Sequence, residues 1–355
     1  TNHSSLNKFN LLAGVDGYQD IFNTLRPEND DGRPKPPADA KATMVGAFLY
    51  GTYPLLNNVI FEAGIRYDDF KSEALGYADS NDSALSPSLA LSWQAKEWVK
   101  LSLRYDEAFR APDVYELFMD GTHFSFYPNG PSNIFVPNPE LRPESSKNIE
   151  LKSEFQFTEV FSKDKVKIIA NLFKNKVEDY IQLKVTVPDP LPDTCFIPNM
   201  GAGCAGTSTS ENISNADIRG FELGAVYEFG AITASISYSQ TRGKDSDTGE
   251  YLAGIPADKW VAALDYGVWD IDTKVGMKII SNSDQKHTPS DDTQGPYKGY
   301  KTADFYASWE PSSPTLEGVE LDLTVANAFD KHYRNAWTSI YEAGRSVKVS
   351  AQYNF

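Results

Sequence analysis

Regular alternation of apolar and polar side chains is the feature that most constrains how this 355-residue chain can fold. The last ten residues, S-V-K-V-S-A-Q-Y-N-F, show it most clearly, and the same period of two recurs over 59–67 and 99–106. Successive side chains of a strand point to opposite faces of its sheet, so such segments form strands with one apolar and one polar face. The pattern predicts an all-β protein.

About 14 segments carry this alternation, and none of comparable length shows the 3.6-residue period of an amphipathic helix. Their connections alternate in length, from short turns such as 94–96 to long segments such as 109–144. Outer-membrane barrels have short turns at one end and long loops at the other, so the sequence favours an antiparallel transmembrane β-barrel. The predicted strands cover 8–20, 41–54, 58–70, 84–94, 97–108, 145–158, 165–186, 214–229, 231–243, 258–269, 272–285, 297–310, 318–331 and 345–355.

Composition argues against several other classes of protein. The chain has 33 Lys and Arg against 49 Asp and Glu, a formal net charge of −16, which disfavours nucleic acid as a partner because that partner requires a basic surface. No run of about 18 apolar residues is present, so no membrane-spanning helix is predicted. Cys195 and Cys204 lie close together in a segment rich in Gly and Pro, without CxxC spacing. This pattern favours a disulfide formed in an oxidising compartment over a redox or zinc site.

The long connection 109–144 carries most of the recognisable motifs. It begins with F-R-A-P at 109–112 and ends with N-P-E-L-R-P-E at 138–144. Between them lies His123, one of only four histidines in the chain. An imidazole in a polar loop is either a metal ligand or a solvated side chain, and the spacing alone leaves both open.

Several motifs in family order resemble those of the TonB-dependent outer-membrane receptors. They are G-I-R-Y-D at 64–68, the two boxes at 109–112 and 138–144, N-A-D-I-R-G-F-E-L at 215–223, V-A-N-A-F-D-K at 325–331, and a final strand ending in Phe355. The resemblance implies a 22-stranded barrel around an N-terminal plug domain. Residues 1–355 are therefore expected to be a single partial domain, the C-terminal part of the barrel without the plug. A self-closed barrel of about 14 strands is the alternative.

Within that family, an F-R-A-P box, a following histidine and an N-P-x-L box resemble the heme and hemoglobin receptors. The resemblance implies that His123 is an axial ligand of heme iron, with Phe124 and Tyr127 against the porphyrin and a second ligand from the plug domain. It implies that heme is cargo rather than a catalytic cofactor. The implied partners are heme, hemoglobin or a hemophore, the TonB–ExbB–ExbD complex and outer-membrane lipid.

The residues of the two boxes have a structural interpretation that the sequence favours over ligand binding. Proline and the residue before it restrict the backbone, so the boxes are expected to end strands and fix the ends of the connection. These residues are Phe109, Arg110, Ala111, Pro112, Asn138, Pro139 and Leu141. His287 lies in a polar run and is expected to be solvated, and His332 is expected to mark the end of a strand.

Two other functions fit the same pattern. One is a TonB-dependent receptor for a ferric siderophore, in which His123 has no role. The other is a passive barrel or an adhesin whose loops bind a host protein. No G-x-S-x-G, H-E-x-x-H or Walker motif is present, so the chain is not expected to be an enzyme.

Overall fold

A computed structural model describes residues 2–6, 8–23, 39–125, 132–187, 205–290, 292 and 295–354. Within these residues the chain forms a 17-stranded sheet and one short helix, which confirms the all-β prediction. The elements are β1 (Asn2–Leu6), β2 (Phe9–Phe22), β3 (Ala40–Leu56), β4 (Val59–Glu73), β5 (Ser80–Lys96), β6 (Val99–Arg110), α1 (Val114–Phe118), β7 (Gly121–Ser125), β8 (Ser132–Phe135), β9 (Glu144–Thr158), β10 (Lys165–Thr186), β11 (Gly206–Phe229), β12 (Ile232–Asp245), β13 (Lys259–Val268), β14 (Thr273–Asn282), β15 (Tyr300–Trp309), β16 (Val319–Ala326) and β17 (Ser346–Tyr353). The strand pairs are antiparallel in β2 to β4 and β12 to β17, and a short parallel pair joins β8 to β11.

Each of the 14 predicted segments corresponds to one of the longer strands. The additional strands are β1, β7 and β8, which have five, five and four residues. Such short runs carry too few residues for a period of two to be recognised. The expectation that 109–144 is one long loop was wrong, because this segment contains α1, β7 and β8.

The chain divides into two compact units. Unit 1 comprises Thr1–Ala90, Tyr105–Asn148 and Lys176–Ala216, and unit 2 comprises Leu91–Arg104, Ile149–Asn175 and Asp217–Phe355. A single domain over 1–355 stays a prediction.

Unit 1 contains an antiparallel ladder and a small apolar core. Strand β3 pairs with β2 from Asn10↔Thr52 to Phe22↔Ala40, and its other edge pairs with β4. The core forms beside these strands, where α1 buries one side of its single turn. Its buried members are Ala40, Ala74, Val114, Leu117, Phe118, Leu141 and Ile181. The helix α1, which lies between the two boxes, is therefore packed in unit 1 rather than fully solvated.

Unit 2 contains a meander in which β12 to β17 pair with their neighbours in chain order. Strands β13 and β14 are joined by one 3-10 turn at Trp269–Ile271, closed by Asp272 in the left-handed region at φ 50°. Longer connections precede β13, β15 and β17. Meanders of this kind keep every strand antiparallel to its neighbours.

The two faces of the unit 2 sheet are opposite in polarity, and the apolar face is exposed. On β17, Val347, Val349 and Tyr353 are 64%, 76% and 62% exposed. The other face carries polar contacts, such as the hydrogen bond of 2.7 Å from the Tyr306 hydroxyl to Asp265 Oδ1. Large apolar side chains on an outer surface are expected where the surrounding solvent is lipid. None of the described helices is long and apolar enough to cross a membrane.

Because the two faces differ in polarity, arginine should lower the free energy of unfolding much more at one residue of β17 than at its neighbour. Val349→Arg places a guanidinium on the apolar face and should destabilise the protein by about 2–4 kcal/mol in lipid. Ser350→Arg faces Asp322 across the ladder and should cost little. Urea titration of the full-length protein in lipid vesicles measures both. Equal destabilisation would contradict the assignment of the faces.

Candidate functional site

Helix α1 begins with a capping box just after the F-R-A-P motif. The Asp113 carboxylate accepts hydrogen bonds of 2.8 Å from the backbone N–H groups of Tyr115 and Glu116. The Glu116 carboxylate in turn accepts one of 2.9 Å from the Asp113 N–H. These reciprocal bonds satisfy backbone donors that a helix start leaves unpaired, so one turn of helix is stable here.

Arg110 joins this helix to the start of β9. Its guanidinium donates to both carboxylate oxygens of Glu116 at 2.7 and 3.0 Å, and to both of Glu144 at 2.9 and 2.8 Å. Glu144 also accepts the Ile181 N–H of β10 at 2.7 Å. Planar bidentate contacts of this kind are strong and directional, and lysine cannot reproduce them. Arg110 of the first box is therefore shared by Glu116 of α1 and by Glu144, the last residue of the second box.

The second box is held by Asn138. Its backbone N–H donates to the Leu117 carbonyl at 2.8 Å, and its side-chain amide donates to the Ser210 carbonyl at 2.9 Å. Leu141 lies in the core of unit 1, and Pro112 of the first box is also buried. Phe109 stacks on Phe70 with 5.4 Å between ring centroids. These contacts fix both ends of the segment, while Ala111 and Pro139 are half-buried beside them.

His123 is the extra residue of a β-bulge. Strands β7 and β8 pair Thr122 with Ile134 and Phe124 with Asn133, so His123 has no partner of its own in the ladder. A bulge redirects the side chain of its extra residue and is frequent beside functional sites. The imidazole is half-buried and lies against the Phe135 ring at 4.5 Å and the Phe124 ring at 5.1 Å.

A chain of hydrogen bonds fixes the proton on His123. Its Nδ1 lies 2.8 Å from Ser208 Oγ, Ser208 Oγ donates to Asn133 Oδ1 at 2.5 Å, and Asn133 Nδ2 donates to the Thr186 carbonyl at 2.9 Å. Asn133 and Ser208 are fully buried. Because Thr186 O only accepts, the Asn133 amide must place its nitrogen there and its oxygen toward Ser208.

The tautomer of His123 follows from this arrangement. The single hydroxyl proton of Ser208 goes to Asn133, so Ser208 Oγ can only accept from the imidazole. Nδ1 therefore carries the proton, and Nε2 of the neutral ring keeps its lone pair. A hydrogen bond on one ring nitrogen is the usual means of fixing which nitrogen is free for a metal.

Phe135 and Ser208 also line an open pocket of about 250 Å³. Its lining also includes Tyr115 of α1, Met119 directly after that helix, and Leu183 of β10. Sequence reasoning missed Asn133, Phe135 and Ser208. Ser208 is 85 residues from His123 in the chain, and no local motif indicates that the fold brings them together.

Three predicted residues, Tyr127, Cys195 and Cys204, lie outside the described residues, so the disulfide and the Tyr127 contact stay predictions. The described part of the chain contains no cluster of three or more His, Cys, Asp or Glu side chains that could hold a metal ion. A metal site built from several side chains is therefore not found among those residues. His123 offers a single imidazole nitrogen.

The histidines of unit 2 differ from expectation. His287 was predicted to be solvated, but it is half-buried with its ring 4.9 Å from that of Tyr251. Burial lowers its pKa below the ordinary value, and the positive charge of Arg242 lowers the pKa further. His332 is exposed and stacks on Tyr341 with 3.9 Å between ring centroids. The strand before it, β16, ends at Ala326, so His332 does not mark the strand end itself.

Comparison with known proteins identifies the family. The model of the "TonB dependent receptor-like, beta-barrel" family matches residues 2–328. The heme/hemopexin utilization protein C of Haemophilus influenzae strain 86-028NP is 34% identical over all of this chain and 49% of its own length. The hemin receptor of Yersinia enterocolitica is 31% identical over 82% of this chain and 42% of its own length. The chain thus spans about half the length of these curated relatives.

A solved structure shares the fold. The Serratia marcescens hemophore receptor HasR, solved as a double mutant with its hemophore HasA and heme, matches 98% of this chain and 56% of its own with a TM-score of 0.73 and 20% identity. The family prediction is confirmed, and the alternating strands with an exposed apolar face are those of an outer-membrane protein. This chain belongs to the TonB-dependent receptor β-barrel family.

Proposed function

We propose that the full-length protein takes up heme across the outer membrane, with His123 Nε2 as one axial ligand of the heme iron. The observation that carries this proposal is the hydrogen-bond chain through Ser208 and Asn133, which leaves Nε2 with its lone pair. The names of the relatives, a heme/hemopexin utilization protein and a hemin receptor, support the same ligand.

The surroundings of His123 suit a porphyrin edge. Phe135 and Phe124 provide apolar ring surface within 4.5 and 5.1 Å of the imidazole, and burying apolar area stabilises a complex by roughly 25 cal/mol per Å². The Ser208 oxygen accepting from Nδ1–H increases the electron density on the ring, which strengthens donation from Nε2 to iron. Tyr127 is proposed as a further contact.

The rest of the transport cycle depends on regions beyond these residues. We propose a second axial ligand from a plug domain, energy from the TonB–ExbB–ExbD complex, and hemoglobin or a hemophore as the source of heme. Binding rather than catalysis is the proposed role, so the protein is not expected to be an enzyme.

The doubly bidentate Arg110 is proposed to keep β7 in place while the loops exchange heme. It ties β6, α1 and β9 together at the base of the segment, so the strand carrying His123 starts from a fixed anchor. A ligand held in place beforehand loses less conformational entropy when heme binds.

Removing the imidazole tests the ligand directly. His123→Ala in the full-length protein should weaken hemin binding about 100-fold, since it removes the ligand itself rather than an outer partner. Soret absorbance titration measures this. His332→Ala, which removes an exposed histidine of unit 2, should bind hemin as the wild type does. An unchanged His123→Ala spectrum, with growth on a ferric siderophore, would favour the siderophore alternative.

The hydrogen-bond chain predicts a second, smaller effect. Ser208→Ala leaves Nδ1 of His123 without its acceptor and should weaken hemin binding about 10-fold. Ser208→Thr keeps the hydroxyl and should restore most of the affinity. The same Soret titration distinguishes the two variants. Equal affinity for Ala and Thr would show that the hydroxyl does not hold the imidazole.

The anchoring role of Arg110 predicts faster proteolysis. Arg110→Gln removes four charge-assisted hydrogen bonds. Segment 111–143 should then be cleaved severalfold faster by a protease that does not cleave after Arg, so that the substitution itself removes no cleavage site. Arg142→Gln is the matched control, since Arg142 is 68% exposed and its guanidinium pairs with Asp179. Exposed pairs contribute only about 0–1 kcal/mol. Equal cleavage rates in the two variants would contradict the anchoring role.

A further inference from the structure

A groove of about 630 Å³ on the sheet of unit 2 combines exposed aliphatic side chains with basic ones. Its lining includes Ile149, Leu151 and Leu172, which are 53%, 42% and 52% exposed. Lys174, Arg219 and Arg242 line the same groove. Neither the heme proposal nor the family match assigns a role to this groove.

The groove lies on the apolar face of the sheet. On β10, Asn171 reaches Glu222 of β11 on one face, whereas Lys174 reaches Asp217 on the other. Leu172 and Lys174 are two residues apart and so share a face. The basic side chains therefore lie on the same side as the exposed aliphatic residues, the side that meets lipid.

A row of aromatic rings crosses this face beside the groove. The ring centroids of Phe221 and Tyr238 are 6.3 Å apart, and those of Tyr238 and Trp260 are 4.5 Å apart. The three adjacent strands β11, β12 and β13 therefore contribute one ring each. Aromatic girdles mark the level of the lipid headgroups on outer-membrane barrels. Arg242 and Asp258 lie beside this row, near the ends of β12 and β13 that the longer connection joins.

The charges of the groove are not balanced. Lys174 pairs with Asp217 at 2.8 Å and Arg242 with Asp258 at 2.5 Å. Arg219 makes no ion pair with any residue that the structure describes. An unpaired guanidinium at headgroup level favours a phosphate, which it can bind through two parallel hydrogen bonds.

We propose that this groove binds a phosphate-bearing lipid at the membrane end that carries the long connections. The acyl chains lie against Ile149, Leu151 and Leu172, and the phosphate lies on Arg219, flanked by Lys174 and Arg242. The chain as a whole has a net charge of −16, which repels anionic lipid. Retention of such a lipid therefore reports on a local basic site rather than on bulk attraction.

Native mass spectrometry of the full-length protein in neutral detergent tests the site, with dioleoyl phosphatidic acid as the probe and dioleoyl phosphatidylcholine as the zwitterionic comparison. Arg219→Gln should weaken phosphatidic acid binding about fivefold, the usual contribution of one basic residue near anionic lipid. Arg219→Lys should retain most of it. Lys348→Gln removes one positive charge from the polar face of β17 and should leave binding unchanged.

Two outcomes would overturn the proposal. One is equal phosphatidic acid binding by wild type and Arg219→Gln. The other is complete displacement of the lipid by equimolar inorganic phosphate, which would identify an anion site without acyl recognition. Hemin binding by Arg219→Gln should match the wild type, so the lipid site and the heme proposal can fail separately.

Discussion

Backbone hydrogen bonding in lipid is the constraint on which this structure depends. Hydrocarbon supplies no water to unpaired N–H and C=O groups, so each strand must pair with neighbours along its length. Long two-faced strands with short turns satisfy that requirement in unit 2, where each of β13 to β16 pairs on both edges. The exposed Val347, Val349 and Tyr353 follow from the same constraint, since their solvent is lipid.

The proposed site is built where this regular pairing is interrupted. The bulge at His123 frees one side chain from the β7–β8 ladder, and the buried Asn133 and Ser208 take up its hydrogen bond. Each lost partner in such a buried chain costs about 1–3 kcal/mol, so a fully paired chain favours one arrangement. The polar network therefore holds the imidazole in one tautomer, and Arg110 holds the segment that presents it.

The sequence predicted the repetitive part of the fold and missed the part that depends on long-range contacts. Period-two alternation identified β17 and the other long strands because it is local. The helix α1 left a signal, the D-x-x-E of Asp113 and Glu116, which is too short to stand out without its packing. His123 could be selected from its flanking boxes. Ser208, which fixes its proton, follows only from the register between β8 and β11.

The central claim is that His123 ligates heme iron through Nε2. Electron–nuclear double resonance of the ferric heme complex of the full-length receptor tests it, with histidine labelled by ¹⁵N at the ε2 or the δ1 position. We predict a strong iron-ligand coupling from the ε2 label that His123→Gln diminishes, and no strong δ1 coupling that the same substitution removes. A strong δ1 coupling lost in His123→Gln, or an ε2 signal unchanged in His123→Gln, would contradict the account.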